Sequence, residues 1–399
     1  MKTLKNLLLK PLQVNKSARK KTLICVLCLM LAFALAACSN DEPEEIPIEP
    51  EITETPEPTP EPVSEPTPEP TPEPTPEPTP EPEPDFTYFN PLTGVPTEED
   101  MSLNRPLAIV LSNSPDSVPM NGVSHVDILY ELPVEGNITR MLGIFQDFSE
   151  AGMTGSIRSL RHYTVQIAES HDAIMVASGG SPPAMNELSS RNVTSILEGR
   201  GVGSRIIFRD QGRIPGQRLQ SYRSAVTSGE LVSRWLLDAA ENDNIRMLHA
   251  GERENALLFT NDATPDGGAN AAEVVVSFFG KNSTFTFDEN ENVYYMHQFN
   301  RAFIDVNNDE HLSFANLIIL ETSITMLQGP HAGSGRRDMQ TTGTGEGYFV
   351  HGGRAIEINW SRDDTEQFVF TLRDGTSLEL GRGRTYIGVI PTSGGVNFN

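Results

Sequence analysis

A run of proline, glutamate and threonine between residues 41 and 85 decides which part of this chain can fold. It reads DEPEEIPIEPEITETPEPTPEPVSEPTPEPTPEPTPEPTPEPEPD, with repeated TPEP units and no basic residue. Such a composition buries too little apolar surface to form a core, and its prolines favour extended polyproline II. At ~3.1 Å per residue, ~45 residues reach on the order of 140 Å. We therefore predict a disordered, semi-rigid spacer that ends at residue 85.

The residues before this spacer have the pattern of a bacterial secretion signal. Basic residues without any acid precede an apolar run from Thr22 to Ala37, and the run ends in LAAC at Cys38. A positive flank, a short apolar stretch and small residues before a cleavage site are typical of a signal peptide. The cysteine directly after them resembles a bacterial lipobox. The resemblance implies a signal peptide over 1–37, a diacylglycerol on Cys38 and attachment to the outer face of the cytoplasmic membrane.

Cysteine usage and charge exclude several classes of function. The only other cysteines, Cys25 and Cys28, lie in the apolar run and would leave with the signal. The folded part therefore has no disulfide, zinc–cysteine cluster or cysteine nucleophile. Residues 86–399 keep 38 of the 54 acids and 23 of the 30 bases, a net charge of −15, which disfavours nucleic acid as a partner. The histidines lack metal-ligand spacing, so we expect no metal and no cofactor.

The residues after the spacer divide into two parts of different texture. Between residues 86 and 245, apolar runs such as Pro106–Asn113 alternate with helical patterns such as Ser159–Ser170, which predicts an α/β or α+β layer around one sheet. Ser181 is a predicted N-cap, with proline at the first helical position. From 246 to 399, apolar and alternating runs between glycine, asparagine and aspartate turns predict a mostly β domain.

An ordered series of motifs runs through both parts: NPLTGVP, RPLAIVLSN, VDILYELPVEGNITRMLGIFQ, GSIRSLRHYTVQIAESHDAIMVASGGSP and GEGYFVHGGRAIEINW, closed by GRTYIGVIP. The series resembles the YerB-like bacterial lipoproteins, a family with a two-part domain of unknown function. The resemblance implies a surface protein of a Gram-positive-type cell and supplies no catalytic residue. The chain departs from the family pattern at Ala177, where the family has histidine, and at Gly216-Gln217, where a histidine–asparagine block is usual.

Arginines form the strongest candidate site. The stretch RIIFRDQGRIPGQRLQSYR gathers five of them with a single acid, Asp210, in an otherwise acidic chain. Guanidinium groups match phosphate and carboxylate geometry, and backbone N–H groups at a helix start favour anions. We predict an anion site for a peptidoglycan carboxylate or a teichoic acid phosphate, built from Arg140, Arg158, Arg161, Gly179, Gly180, Ser181, Arg205, Arg209 and Arg213.

Two alternatives stay open at this stage. Asp127, Glu131 and Glu135 could neutralise the arginines in an internal network that fixes strand to helix. Glu131 and Glu135 could instead form the carboxylate pair of a glycan hydrolase, although Pro133 separates them. The favoured function is a non-catalytic binding or adaptor module for an anionic wall component or an envelope protein. The alternative is a wall-modifying enzyme, a glycan or peptide hydrolase or transferase.

Overall fold

Branched and aromatic residues alternate with turn residues after the spacer, and this pattern favours strands. The computed structural model describes residues 87–242, 245–251, 255–333 and 335–399, so the predicted signal peptide, Cys38 and the spacer lie outside the described residues. The strands up to residue 245 are β1 (Tyr88–Phe89), β2 (Pro96–Thr97), β3 (Leu107–Asn113), β4 (Ile128–Pro133), β5 (Thr139–Phe145), β6 (Met153–Gly155), β7 (Ile174–Ala177), β8 (Ser195–Leu197), β9 (Phe208–Arg209) and β10 (Ala225–Ser228).

Strands make up nearly all the regular structure of the second part, as its alternating pattern predicts. They are β11 (Leu258–Thr260), β12 (Ala269–Asn270), β13 (Glu273–Ser277), β14 (Asn282–Asp288), β15 (Val293–Gln298), β16 (Arg301–Ala302), β17 (Ser313–Phe314), β18 (Asn316–Thr322), β19 (Ile324–Met326), β20 (Arg337–Met339), β21 (Gly343–His351), β22 (Arg354–Arg362), β23 (Val369–Leu372), β24 (Glu379–Gly381), β25 (Thr385–Pro391) and β26 (Gly395–Phe398).

Helices are few and confined to the first part of the described chain. The α-helices are α1 (His162–Ser170), α2 (Pro182–Ser190), α3 (Gly203–Ile206) and α4 (Gly229–Asn242), and 3₁₀ turns cover Val123–His125 and Ser221–Arg223. The predicted α/β layering is therefore present only in part. None of the helices in the described ranges is long and apolar enough to cross a membrane.

One mixed sheet of 11 strands dominates the fold. Its order is β12-β22-β21-β18-β25-β4-β5-β3-β7-β8, with β23 beside β22. Pairing is parallel in β18–β25–β4 and in β3–β7–β8, and antiparallel elsewhere. The predicted parts 86–245 and 246–399 thus contribute to the same sheet, where β4 pairs with β25, and they belong to one compact unit, Glu81–Asn399.

Alternation along the central strands divides the apolar side chains into two cores. On one face of β3, Ala108 and Val110 pack in a cluster that includes Tyr163 and Ile167 of α1. On the other face, Ile109 and Leu111 belong to a second cluster, which reaches a smaller sheet of order β16-β15-β14-β13-β26. Glu131 of β4 points into this space between the two sheets, where its side chain is fully buried.

The first helix starts later than its apolar spacing predicts. The pattern suggested Ser159, but α1 begins at His162 with Arg161 as its N-cap. Leu160 is held in extended backbone instead, since its N–H donates to Gly179 O and its carbonyl accepts from Ser181 N. This pairing fixes Arg158 and Arg161 beside the Gly179-Gly180 turn. Ser181 caps α2 as predicted, with its Oγ accepting from Ala184 N.

Candidate functional site

Arg140 is a buried cation that no carboxylate of the described residues contacts directly. It lies on β5, is 7% exposed, and its Nη1 donates to the carbonyl of Ser159. Within the described ranges no carboxylate lies within ion-pair distance of it. Burial, together with the neighbouring guanidinium groups of Arg161 and Arg158, lowers the pKa of Arg140 to about 9. A buried guanidinium without an ion pair either binds an anionic ligand or lowers the stability of the folded state.

Arg161 is neutralised inside the protein. Its Nε and Nη2 donate to the two carboxylate oxygens of Glu135, at 2.9 and 2.6 Å. Burial alone would raise the pKa of Glu135, but the Arg161 guanidinium outweighs it and the pKa is lowered. This is the internal pairing that the sequence left open, and it removes the conflict between a cation and the N-terminus of α1. Arg161 and Arg140 share the carbonyl of Ser159.

Arg158 is the second guanidinium that has no acidic partner among the described residues. Its Nη1 donates to Tyr222 O at 2.7 Å, and its guanidinium carbon lies 5.5 Å from the Tyr222 ring centre. Burial lowers the pKa of Arg158, and the nearby charges of Arg223, Arg161 and Arg209 lower it further. Arg140 and Arg158 therefore lie in one electrostatic neighbourhood, as the sequence proposed.

Two more arginines reach this neighbourhood already paired. Arg209 makes two hydrogen bonds of 2.6 Å to Glu198, and its Nη2 also contacts Ser178 Oγ at 3.2 Å. Arg223 lies 4.9 Å from the Tyr222 ring centre and pairs with Asp116 at 2.6 Å. Arg140, Arg158, Arg161, Arg209 and Arg223 thus face three carboxylates, one of which, Glu135, also lies 3.8 Å from Arg336. The positive charge without an ion pair among the described residues resides on Arg140 and Arg158.

The turn before α2 supplies fewer donors than predicted. Pro182 and Pro183 have no N–H, and the N–H of Ala184 is taken by Ser181 Oγ. The expectation of free N–H groups at this helix start is therefore wrong for Ser181 and the first turn. The N–H groups of Gly179 and Gly180 make no hydrogen bond within the described part, and Gly179 is exposed. Within this turn, Gly179 and Gly180 are the residues of the described part that keep backbone donors for a ligand.

Arg205 and Arg213 do not join the cluster, which corrects the prediction for both. Arg205 pairs with Asp238 at 2.8 Å and lies 4.7 Å from the Trp235 ring centre on α4. Arg213 is buried, and burial lowers its pKa to about 10. Its guanidinium donates to four neutral oxygens, those of Ser117 O, Pro119 O, Asn121 Oδ1 and Arg223 O. Both arginines fasten loops.

Glu131 lies in a separate, fully buried polar network between the two sheets. Its side chain is 0% exposed and forms an ion pair with Lys281. Burial would raise the pKa of Glu131, but the Lys281 ammonium and hydroxyl donors outweigh it and lower it. The other groups that donate to its carboxylate are Asn113 Nδ2, Thr139 Oγ1, Ser283 Oγ, Gln298 Nε2 and Tyr386 OH.

The carboxylate-pair hypothesis for Glu131 and Glu135 is not supported by this geometry. Glu131 faces the core between the sheets and is saturated with donors, whereas Glu135 follows β4 and is held by Arg161. Neither carboxylate is free to act as an acid or a base on an external glycan. The described residues also contain no cluster of three His, Cys, Asp or Glu side chains suited to a metal ion.

Sequence reasoning missed Lys281. It is the only lysine in residues 86–399, and it is 6% exposed. Lysine is a residue that folded proteins keep at the surface unless it is paired. The sequence signal for Lys281 was its uniqueness: residues 86–399 contain 22 arginines but a single lysine. A surface role would rarely use one lysine alone. Its partner Glu131 lies 150 positions away in the chain, which no local pattern reveals.

Asp127 occupies the opposite end of the β4–β5 pair from Arg140, about five residues or ~17 Å along the strands. Its carboxylate accepts from Asn90 Nδ2 at 2.8 Å and from Gln146 N at 2.6 Å. It lines a cleft of about 430 Å³ together with Arg382 and Arg384. Asp127 is therefore not the partner of Arg140, Arg158 or Arg161 that the sequence left possible.

Asp127 should give the protein a measurable pH dependence. Burial raises its pKa to about 6 against the two hydrogen bonds, so the folded state binds the proton more tightly than the unfolded state. Its contribution to stability is complete below about pH 4 and is lost as pH rises through 6. Between pH 4 and pH 7, the unfolding free energy of wild type minus that of Asp127→Asn should fall by about 2 kcal/mol. Urea titrations at the two pH values measure it, and an unchanged difference contradicts the assignment.

Comparison with known proteins matches two long stretches of the described region to one family. Residues 92–230 match the model for the N-terminal domain of a protein of unknown function, DUF3048, and residues 274–387 match its C-terminal domain. A Bacillus subtilis (strain 168) protein named "Putative lipoprotein YerB" is 29% identical over 308 residues, which cover 75% of this chain and 86% of that protein.

A solved structure agrees with the sequence comparison. The crystal structure of YerB protein from Bacillus subtilis matches with a TM-score of 0.64 and 26% sequence identity. The match covers 77% of this chain and 99% of the YerB chain. Both domain models in order and a structural relative of nearly full coverage lead to one conclusion: the chain belongs to the YerB-like family of two-part DUF3048 proteins.

Proposed function

We propose that the chain is a surface lipoprotein whose folded part binds an anionic component of the cell envelope. Arg140 is the single observation that carries the proposal: a buried guanidinium that contacts no acid among the described residues, next to Arg158, which has no ion pair in those ranges either. A buried charge of this kind is stabilised when an anion completes it. The predicted signal peptide, Cys38 and the name of the Bacillus relative support the lipid anchor.

The anion is an oxyanion of an extended polymer. Arg158 and the Gly179-Gly180 turn are at least partly exposed, while Arg140 lies beneath them, so the group enters from the surface. Guanidinium forks and backbone N–H groups suit phosphate and carboxylate oxygens equally. Teichoic acid phosphates and peptidoglycan stem carboxylates are the two sources of this chemistry in a wall. The acidic remainder of the protein repels both, which confines contact to this patch.

Sedimentation with purified wall sacculi tests the proposal. Residues 81–399, the compact unit, are incubated with sacculi before and after removal of teichoic acid, across a salt series. We expect retention at low salt that fades as salt rises, since charged contacts are screened. Loss of retention on teichoic acid removal identifies phosphate, and unchanged retention identifies the peptidoglycan carboxylate.

Arg158→Ala should reduce the affinity for sacculi about 10-fold, the effect of removing a charge-assisted hydrogen bond at a partly exposed site. Arg354→Ala is the matched control, because Arg354 is an exposed arginine on β22 with no ion pair among the described residues. Equal retention of wild type and Arg158→Ala would contradict the proposal. No retention at any salt concentration would point to an envelope protein as the partner.

A further inference from the structure

We propose that the buried network at Glu131 is a covalent modification site, where Lys281 and Asn113 join through an intramolecular amide bond. The proposal rests on three side chains from different elements that meet at one oxygen. Glu131 Oε1 is in contact with Lys281 Nζ and accepts a hydrogen bond from Asn113 Nδ2 at 2.9 Å. An amine and a primary amide are thus held at a single carboxylate, which is the arrangement that proton transfer between them requires.

The surroundings favour a nucleophilic amine. Lys281 is 6% exposed, and its Nζ lies 5.2 and 5.8 Å from the ring centres of Phe278 and Phe299. Burial lowers the pKa of Lys281, although the Glu131 carboxylate opposes the shift. A lysine becomes a nucleophile when it is desolvated and loses its proton to a neighbouring base. Glu131 is that base.

Asn113 carries an independent sign that its primary amide is not fully accommodated. It is 1% exposed, and its Nδ2 donates to Glu131 and Thr139, while its Oδ1 accepts no hydrogen bond within the described part. Buried polar atoms of native proteins are nearly always paired, so an orphan of this kind needs an explanation. An amide that reacts at its carbonyl carbon is such an explanation.

The reaction balances without any other reactant. Lys281 Nζ passes a proton to Glu131 and attacks Asn113 Cγ as the free amine. The Nζ–Cγ bond forms, Glu131 hands its proton to Nδ2, and the Cγ–Nδ2 bond breaks with release of ammonia. Nζ then loses its second proton to Glu131, which ends the reaction as a neutral carboxyl group. The product is a secondary amide that connects the end of β3 to the residue before β14. It would fasten the large sheet to the smaller one across the core.

The identity of the partner follows from chemistry as well as position. Glu131 itself is an unreactive carboxylate while it is ionised, and Ser283 and Tyr386 hold its second oxygen as donors. Gln298 Nε2 contacts the same second oxygen at 3.3 Å, farther than Asn113 lies from the first. Asn113 is therefore the electrophile that shares an oxygen with the amine.

Peptide mass spectrometry of the full chain tests the proposal. Trypsin cuts after Lys281 when its amine is free, which releases residues 254–281 and 282–301 separately. A linked chain yields instead one branched species that joins residues 254–301 to the peptide that contains Asn113 and ends at Arg140. Its mass should lie about 17 Da, one ammonia, below the sum of its parts.

Variants assign the roles. Lys281→Met, Asn113→Ala and Glu131→Gln should each abolish the branched species, and Asn137→Ala, an exposed asparagine in the β4–β5 turn, should leave it unchanged. The wild-type digest decides the question even where a variant fails to fold. Recovery of residues 254–281 and 282–301 as separate peptides from folded wild-type protein would overturn the proposal. A branch to any residue other than Asn113 would overturn it as well.

Discussion

Lys281→Met should lower the unfolding free energy at pH 7 by about 3–5 kcal/mol, the largest single effect expected in this protein. The substitution keeps an unbranched side chain of similar length. In a chain that is not linked it leaves the Glu131 carboxylate buried without its cation, and in a linked chain it also removes the covalent bond to Asn113. Removing one partner of a buried pair is far more damaging than removing both, because the remaining charge cannot regain its hydration. Guanidinium chloride titrations of wild type and variant measure the difference.

The double variant Lys281→Met, Glu131→Gln is the control for this interpretation. Neither charge remains, so we expect at least half of the lost free energy to return. The part that does not return measures the hydrogen bonds of the network and the proposed linkage to Asn113. A double variant as unstable as Lys281→Met alone would show that side-chain packing, and not the unpaired charge, governs the loss.

Local chemistry made much of the fold predictable. The apolar run at residues 106–113 became β3, and alternation after residue 246 became strands. Ser181 caps α2 as predicted, with Ala184 N donating to its Oγ at 3.4 Å. Each of these features depends on residues within a few positions of one another. The late start of α1 was not predictable in this way, because Leu160 pairs with Gly179 across the sheet end.

The candidate site shows the same contrast between features set by nearby residues and features set by distant contacts. Residue type predicted Arg140, Arg158 and Arg161 as candidate site residues, but their charge partners depend on contacts distant in sequence. Arg209 pairs with Glu198 on the preceding loop, whereas Arg213 is buried and donates to carbonyl groups near Ser117. The stretch from Arg205 to Arg223 therefore supplies two paired arginines, Arg209 and Arg223, to the site. Arg205 and Arg213 instead fasten loops. Proximity in sequence overstated their convergence.

One error could have been avoided from the sequence alone. The two prolines after Ser181 have no N–H, so the first turn of this helix offers an anion no backbone donors from these positions. Donors for an anion must come from the Gly179-Gly180 turn before the helix. The pairing of Lys281 with Glu131 could not be predicted from the sequence. Their pairing depends on the packing of two sheets, and alternation says only that each residue faces inward.

Arg140→Met should weaken binding to wall sacculi on the order of 100-fold and at the same time make the protein more stable. Arg140 carries its charge in a site where burial and two other guanidinium groups lower its pKa to about 9. For a base with a lowered pKa, the folded state disfavours the proton, and this penalty is fully present at pH 7, below the folded pKa. Methionine fills similar space without charge and should raise the unfolding free energy by about 1 kcal/mol after loss of the Ser159 hydrogen bond.

Arg161→Met provides the contrast that makes this result specific. Arg161 shares the Ser159 carbonyl with Arg140 but is neutralised by Glu135, so its removal leaves a partly buried carboxylate and should cost roughly 2 kcal/mol. Urea titrations and sacculus binding are measured on both variants. An Arg140→Met variant that is more stable and still binds sacculi would show that Arg140 neither binds the anion nor stabilises the fold. A destabilised one would show that its charge is compensated within the protein, and the anion site would then rest on Arg158 alone.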